Sequence, residues 1–293
     1  MVKLVVIAGP TAVGKSDAAL KVALALEGEI INADSIQLYR HFDVGSAKPS
    51  AEARALVPHH LIDILSPDER FSLWDYNGAA REAIRDVASR GKLPIICGGT
   101  GLYIKAVLEN LDGGVKGNDD LRTELSKLTN DELHGRLAGL NPEAARKIHP
   151  NDTYRLIRGI ENSLLPPTGS RNWKSEYDAA YFVLSSAKSA VYERIGARVD
   201  KMFESGWVEE VRNLLGRGYS PDCKPFKSVG YWQIMKFLAG ETPPEKLADE
   251  VKKSSRNYAK RQMTWFHAVK DSIRLEAAED PAGQIIRIMT TGR

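Results

Sequence analysis

Residues 2–16 read Val2-Lys3-Leu4-Val5-Val6-Ile7-Ala8-Gly9-Pro10-Thr11-Ala12-Val13-Gly14-Lys15-Ser16. The first seven are nearly continuous in apolar, β-branched character, as a parallel strand buried on both faces requires. The next eight fit G-x-x-x-x-G-K-[ST], a loop whose backbone N–H groups close around a polyphosphate. Helical periodicity follows over 17–27 and stops at Gly28, so the loop opens a helix whose dipole also favours an anion. Lys15 then supplies a point charge to the outer phosphates, and the Ser16 hydroxyl is a candidate ligand for Mg²⁺. The plainer alternative is a glycine turn that only caps a helix.

Outward from this loop, short strands are expected at 29–33 and 93–97, with a helix over 76–90 between them. Strands alternating with amphipathic helices predict an α/β fold of the P-loop NTPase-like kind: a parallel sheet with helices on both faces. From Asp112 to Asn118 the chain turns to loop chemistry, and polar helix without strand signals runs on to about Asn162. Leu165-Pro166-Pro167-Thr168-Gly169-Ser170 breaks it again, and Ala180–Leu184 reads as a strand rejoining the sheet. The simplest organisation is a catalytic core, 1–112 and 179–293, carrying an inserted all-helical module, 113–178. Beyond Tyr192 the pattern is almost all helical: 192–216, 229–238 and 244–269.

The 293 residues are 43% hydrophobic and 27% charged, with 41 basic against 38 acidic side chains. These values suit a globular protein and argue against disorder or coiled coil as a global description. A net charge of +3 does not by itself point to nucleic acid; only its distribution could. Two cysteines, Cys97 and Cys223, cannot make a disulfide scaffold, so a reducing compartment is expected. No apolar run approaches the ~20 residues of a membrane span, and a cytoplasmic protein without membrane association is expected.

Two further polar loops follow strands of the same sheet: Asp34-Ser35-Ile36-Gln37 and Gly98-Gly99-Thr100-Gly101. Carboxyl ends of parallel strands line one crevice, so all three loops should face one site. Asp34 could then hold Mg²⁺ through water or accept a proton from a nucleophile; equally, it could be the N-cap of a following helix. No Asn-Lys-x-Asp guanine-reading motif is present. The residues alone point to a P-loop transferase, most often a kinase.

Cationic pairs sit at helical spacing, Arg155 with Arg158 and Arg194 with Arg198. Lys252-Lys253-Ser254-Ser255-Arg256-Asn257-Tyr258-Ala259-Lys260-Arg261 has five positive side chains and no negative one, with Trp265 and Phe266 beyond. Cations interleaved with aromatics suit an RNA backbone and stacked bases, although a solvated helix face has the same pattern. His59-His60 lacks further metal-spaced ligands, and Cys97 reads as inert core.

Read together, several segments resemble the tRNA dimethylallyltransferase (tRNA isopentenyltransferase) family in its bacterial form. They are Gly9–Ser16, Asn32–Arg40, Pro58–Asp63, Gly98–Tyr103, Ile148–Asp152 running on to Arg155 and Arg158, and Ala259–Phe266, in family order. The resemblance implies transfer of a dimethylallyl group from dimethylallyl diphosphate to N6 of the adenosine 3′ of the anticodon. By the same resemblance, Gly9, Pro10, Thr11, Ala12, Val13, Gly14, Lys15 and Ser16 bind the diphosphate leaving group with Mg²⁺ near Ser16, and Asp34 is the base. Thr100 joins Asp34, Lys15 and Ser16 as catalytic. Asp34, Ser35, Ile36, Gln37 and Thr100 hold the extruded adenine, while Arg122, Tyr154, Arg155 and Arg158 contact the tRNA anticodon stem-loop. Arg194, Arg198, Lys260 and Arg261 reach diphosphate or RNA, and the family leans monomeric. Departures are Thr153 for proline, His267 for arginine, and Lys188-Ser189 for an Asp-Arg pair. A free-nucleotide prenyltransferase of the cytokinin type and an RNA-binding ATPase or nucleotide kinase remain the competing readings.

Overall fold

The computed structural model describes residues 1–109, 115, 117–166 and 176–291. Of the expected breakers, Asp112–Gly114, Lys116 and Pro167–Ser170 lie outside the described residues. The strands are β1 (Val2–Ala8), β2 (Gly28–Asn32), β3 (His59–His60), β4 (Leu93–Gly98), β5 (Tyr177–Ser185) and β6 (Ile273–Glu276). The helices of the first half are α1 (Lys15–Ala25), α2 (Ala51–Leu56), α3 (Leu73–Ser89), α4 (Gly101–Leu108), α5 (Asp119–Leu125), α6 (Asn130–Leu140), α7 (Pro142–Lys147) and α8 (Thr153–Leu164). Those of the second half are α9 (Lys188–Glu204), α10 (Trp207–Gly216), α11 (Tyr231–Leu238), α12 (Pro244–His267) and α13 (Pro281–Thr291).

The sheet runs β3-β2-β4-β1-β5-β6, and every pairing is parallel. β1 lies in the middle because Leu4–Ala8 offer apolar side chains to both faces, and all five are fully buried. On one face Leu4, Val6 and Ala8 join Ile31, Ile96, Ile84 of α3 and Ile104 of α4. On the other, Val5 and Ile7 join Ile30, Ile95, Ala19 and Val22 of α1, and Ile285 of α13. Burying a valine, leucine or isoleucine contributes roughly 1.5–3 kcal/mol, so the strand that delivers the glycine loop is among the best anchored in the protein. α3 starts where Ser72 and Asp75 form a reciprocal capping box.

Several elements differ from the sequence reading. The single helix expected over 192–216 is two, α9 and α10, because Gly206 adopts φ +86° between them. The tail is not wholly helical: Ile273–Glu276 pairs with β5 as the edge strand β6. The two-residue strand β3 was hidden in the His59-His60 dipeptide. β5 starts at Tyr177, so residues 177 and 178, assigned from sequence to the insertion, belong to the sheet.

The chain forms two compact units, Met1–Leu108 with Ser175–Arg293, and Glu109–Lys174. The second has its own small core of Leu125, Leu133, Leu137, Ala145, Leu156 and Ile160. No helix among the described residues is long and apolar enough to cross a membrane. Cys97 and Cys223 are both free thiols.

Candidate active site

The loop after β1 leaves the sheet through Gly9 at φ +145°, where an added Cβ would lie 2.5 Å from the Leu184 carbonyl oxygen of β5. Only glycine fits that close approach. Gly14, at φ +91°, then turns the chain into α1. The Lys15 ammonium reaches back over the loop and donates to the Pro10 carbonyl at 2.7 Å. Burial pulls its pKa down to about 8; the Asp34 carboxylate opposes that shift, and the Arg198 charge adds to it. Thr11, Lys15 and Ser16 line the adjoining cavity. Val13 points the other way, into the core beneath α1.

The Asp34 loop is set by its own short side chains. Asn32 Oδ1 accepts the Asp34 N–H at 2.9 Å, and Asp34 Oδ1 accepts the Ile36 N–H at 2.9 Å. Asp34 is therefore the head of a turn. The N-cap alternative is overturned, because the next helix after Asp34 does not begin until Ala51. The β4 loop lies against it: Gly98 passes so close that a Cβ would sit 2.2 Å from the Ala33 carbonyl oxygen. Thr100 lines neither the cavity beside Lys15 nor the larger one beyond Asp34; its Oγ1 accepts the Ser35 N–H at 3.3 Å and so steadies the Asp34 loop.

Two cavities meet at this point. The first, about 90 Å³, contains Lys15, Ser16, Asn32, Gln37, His59 and Cys97 in its walls. The second, about 260 Å³, has Ser35 and Ile36 on one side and the apolar Ile195, Val199, Met202 and Trp207 on another. Thr11, Asp34, Ser46, Arg198 and Tyr258 line both. Arg198 donates to Thr11 Oγ1 at 3.2 Å; burial lowers its pKa, and the Asp34 carboxylate opposes this. The junction thus places one carboxylate beside two half-buried cations, with a phosphate-sized cradle on one hand and a larger chamber on the other. Burial pushes the Cys97 thiol up to about 11, so it remains a neutral wall of the cradle. His59 is lowered by burial, against the pull of its bond to the Val57 carbonyl.

The remaining expected site residues scatter. Arg194, one turn before Arg198, is exposed and lines neither cavity, so the pair does not act as one. Arg261 stands at the rim of the larger chamber, its guanidinium 5.6 Å from the Tyr258 ring, while Lys260 is exposed beside it. Lys252, the first cation of the 252–261 basic run, is bound to Asp200 at 2.6 Å. In the second unit, Tyr154 is 73% exposed and the Arg155 side chain 71%. Arg122 and Arg158 instead hold the fully buried Glu161 carboxylate, at 2.8 and 3.2 Å.

Sequence reasoning missed Gln262 and Tyr258 as site residues. Gln262 accepts the Thr11 N–H at 2.8 Å and donates to the Gly99 carbonyl at 2.9 Å, tying the glycine loop to the β4 loop. Tyr258 sits one turn earlier on α12, hydrogen-bonded towards Thr100 and Gln262, its phenol raised by burial. The signal was available: a glutamine between Ala259 and Phe266 on the inward stripe of an amphipathic helix is a buried polar group in need of partners. The Ser16 hydroxyl and Asp34 carboxylate share the smaller cavity, and no group of three or more metal-ligating side chains occurs among the described residues. That donor set fits Mg²⁺ carried in on substrate phosphates, which keeps most of its waters, rather than a resident ion in a protein cage.

A family model described as IPP transferase matches residues 37–269, and one described as isopentenyl transferase matches residues 2–57. The chain is 45% identical to tRNA dimethylallyltransferase 1 of Citrifermentans bemidjiense over 94% of this chain and 92% of that protein. It is 39% identical to the tRNA dimethylallyltransferase of Thermotoga petrophila over 97% and 95%. Among solved structures, the tRNA isopentenylpyrophosphate transferase of Bacillus halodurans superposes with a TM-score of 0.76 at 38% identity, covering 99% of this chain and 96% of that one. A eukaryotic dimethylallyltransferase acting on tRNA gives 0.83 at 26% identity, over 99% and 79%.

Proposed function

The chain belongs to the IPP transferase family, and from that premise we propose that it transfers a dimethylallyl group from dimethylallyl diphosphate to tRNA, at N6 of the adenosine immediately 3′ of the anticodon. The observation that carries this reading is the pair of cavities meeting at Asp34, with Lys15 and Arg198 at the junction. Diphosphate lies in the loop of residues 9–16. The chamber beyond Asp34 takes the base, which must leave the RNA stack to reach so deep a carboxylate. Its rim carries Lys227 and Arg261, cations suited to the phosphates flanking an extruded nucleotide.

In the reaction the N6 lone pair forms a bond to C1 of the donor, the C1–O bond breaks, and its electrons leave with diphosphate. Asp34 accepts the proton that N6 sheds. Lys15, Arg198 and the loop N–H groups face the charge that develops on the leaving group. Mg²⁺, held by Ser16 and the diphosphate, would neutralise part of that charge when bound. Gln262 keeps the leaving-group loop and the β4 loop at a fixed separation. Tyr154 and Arg155, exposed on the second unit, are assigned to the anticodon stem-loop; Arg122 and Arg158 act there by holding Glu161, and Arg194 and Lys260 are left to peripheral RNA contact. The protein is proposed to act as a cytoplasmic monomer, as the family resemblance implies.

The test offers labelled dimethylallyl diphosphate with tRNA, AMP or ATP. Label on tRNA alone, mapped to the expected adenosine, is the expected result. Label on AMP but not tRNA would make this a free-nucleotide prenyltransferase, and phosphate release from ATP without label transfer would make it an ATPase or kinase.

A further inference from the structure

The wall between the two cavities is a strap, residues 43–47, that no motif of the sequence singles out. Ser46 lines both cavities, Gly45 the larger and Ala47 the smaller. The strap has no regular secondary structure of its own, so something else must place it. On its inner side the carbonyls of Ser46 and Ala47 accept from Gln37 Nε2 at 3.1 and 3.2 Å, and Gln37 is itself in the wall of the smaller cavity. At its end the Lys48 ammonium, almost wholly buried, binds Asp63 at 2.6 Å and the Tyr39 carbonyl at 2.9 Å.

Its other anchor is Glu210 on α10. One carboxylate oxygen accepts the N–H groups of Asp43 and Val44 at 2.8 and 2.7 Å. The other accepts the Gly45 N–H at 3.3 Å and the Tyr231 hydroxyl at 2.7 Å. Three consecutive backbone donors converging on one anion form a rigid seat, and charge-assisted bonds of this kind are stronger than neutral ones. Trp207, three residues earlier on the same helix, presses its indole against Gly45 so closely that a Cβ there would meet Nε1 at 2.0 Å. α10 therefore sets the height of the strap, by attraction at Glu210 and by contact at Trp207.

We propose that Glu210 is a positioning residue for the prenyl donor: through the strap it fixes Ser46 and Gln37 against the part of the donor that extends beyond the diphosphate. The proposal rests on the prenyl-transfer reading above and names a determinant within that site. Because the diphosphate itself is held by residues 9–16, displacement of the strap weakens recognition of the organic portion and spares that of the anion. A purely structural role for Glu210 would lower stability while leaving the protein's preference among ligands unchanged.

Glu210→Gln separates these. The amide can still accept from the Asp43 and Val44 N–H groups and donate to the Tyr231 oxygen, but its NH₂ then opposes the Gly45 N–H, so the strap lifts at Gly45. Affinities for dimethylallyl diphosphate and for inorganic diphosphate are measured by calorimetry on wild type and variant, with thermal melts in parallel and KM and kcat for each substrate. The expected result is a rise of about 10-fold in Kd and KM for dimethylallyl diphosphate, with less than about 2-fold change in Kd for inorganic diphosphate. Gly45→Ala, which pushes the strap off Trp207 without touching the carboxylate, should shift the same ratio and carries the test if Glu210→Gln does not fold. A folded variant whose two affinities change in parallel, or not at all, overturns the proposal. A wild-type protein that binds the two ligands equally and transfers no label overturns the prenyl-transfer reading instead.

Discussion

Replacing Asp34 with asparagine separates the reaction from the fold, because the structure shows what each carboxylate oxygen does. Oδ1 accepts the Ile36 N–H and shapes the turn; an asparagine oxygen accepts that bond equally well, and Asn32 continues to hold the backbone N–H of residue 34. Folding stability should therefore move by no more than about 0.5 kcal/mol. What disappears is the proton acceptor and the negative charge beside Lys15 and Arg198. Loss of a positioned base lowers turnover by roughly 10²–10⁴, equivalent to about 3–5 kcal/mol of barrier. The lost charge adds a second signature. Asp34 favours the ammonium form of Lys15, so Asp34→Asn lets burial carry Lys15 further below about 8. Inorganic diphosphate should then bind the variant almost normally at low pH, and progressively worse than wild type as pH rises through neutrality. Single-turnover label transfer gives the first quantity, calorimetry across pH the second, and a thermal melt the control. Turnover within about fivefold of wild type, in a variant that melts normally, would refute Asp34 as the base.

Three further outcomes are expected. In the free wild-type enzyme, kcat/KM for the donor should fall about tenfold per pH unit above about 8 as Lys15 loses its proton; a profile flat to pH 10 at constant Mg²⁺ would show that Lys15 stays charged. Arg155→Gln should weaken tRNA binding and reduce the slope of log K against log salt by about 0.7–0.9, the contribution of one phosphate contact; an unchanged slope places Arg155 away from RNA. Glu161→Gln should destabilise the second unit by about 3 kcal/mol, the low end for breaking a buried ion pair, since Arg122 and Arg158 can turn to water. Faster amide exchange in α5 and α8 reads this directly, and unaltered exchange would mean the Glu161 cluster contributes little to that unit.

The parts of this site that sequence made legible are those governed by local rules. A glycine loop between a buried strand and a helix is decided by φ angles and close approaches within a few residues, at Gly9 and Gly14. The turn at Asp34 is local too, yet its alternative as a helix cap survived until the chain beyond it was seen to lack a helix. What stayed hidden depends on contacts between distant segments. Arg194 and Arg198 are equivalent at the level of helical spacing; only the packing of α9 decides that Arg198 enters the cavities while Arg194 meets solvent. Arg122 and Arg158 read as RNA contacts by resemblance, but that both also hold Glu161, buried on the same unit, depends on packing no local pattern records. The edge strand β6 escaped notice because four residues of mixed polarity carry little periodicity, and its identity comes from pairing with β5 some ninety positions earlier.

That late pairing has a consequence for how the chain is made. β1 emerges before the other strands of the sheet, yet it pairs over its whole length with β5, from Val2 opposite Tyr177 to Ala8 opposite Val183. Until residue 185 has cleared the ribosome, the oldest strand has one side open, and the loop that depends on the Leu184 carbonyl has nothing to lean on. The 109–174 segment meanwhile leaves the tunnel complete, with a core of its own. Birth order and assembly order are thus reversed: the interruption can become compact before the framework it interrupts. Nascent chains stalled some 40 residues past position 174 should protect 119–164 from protease while 1–108 is still cut, and simultaneous protection of both would contradict that order.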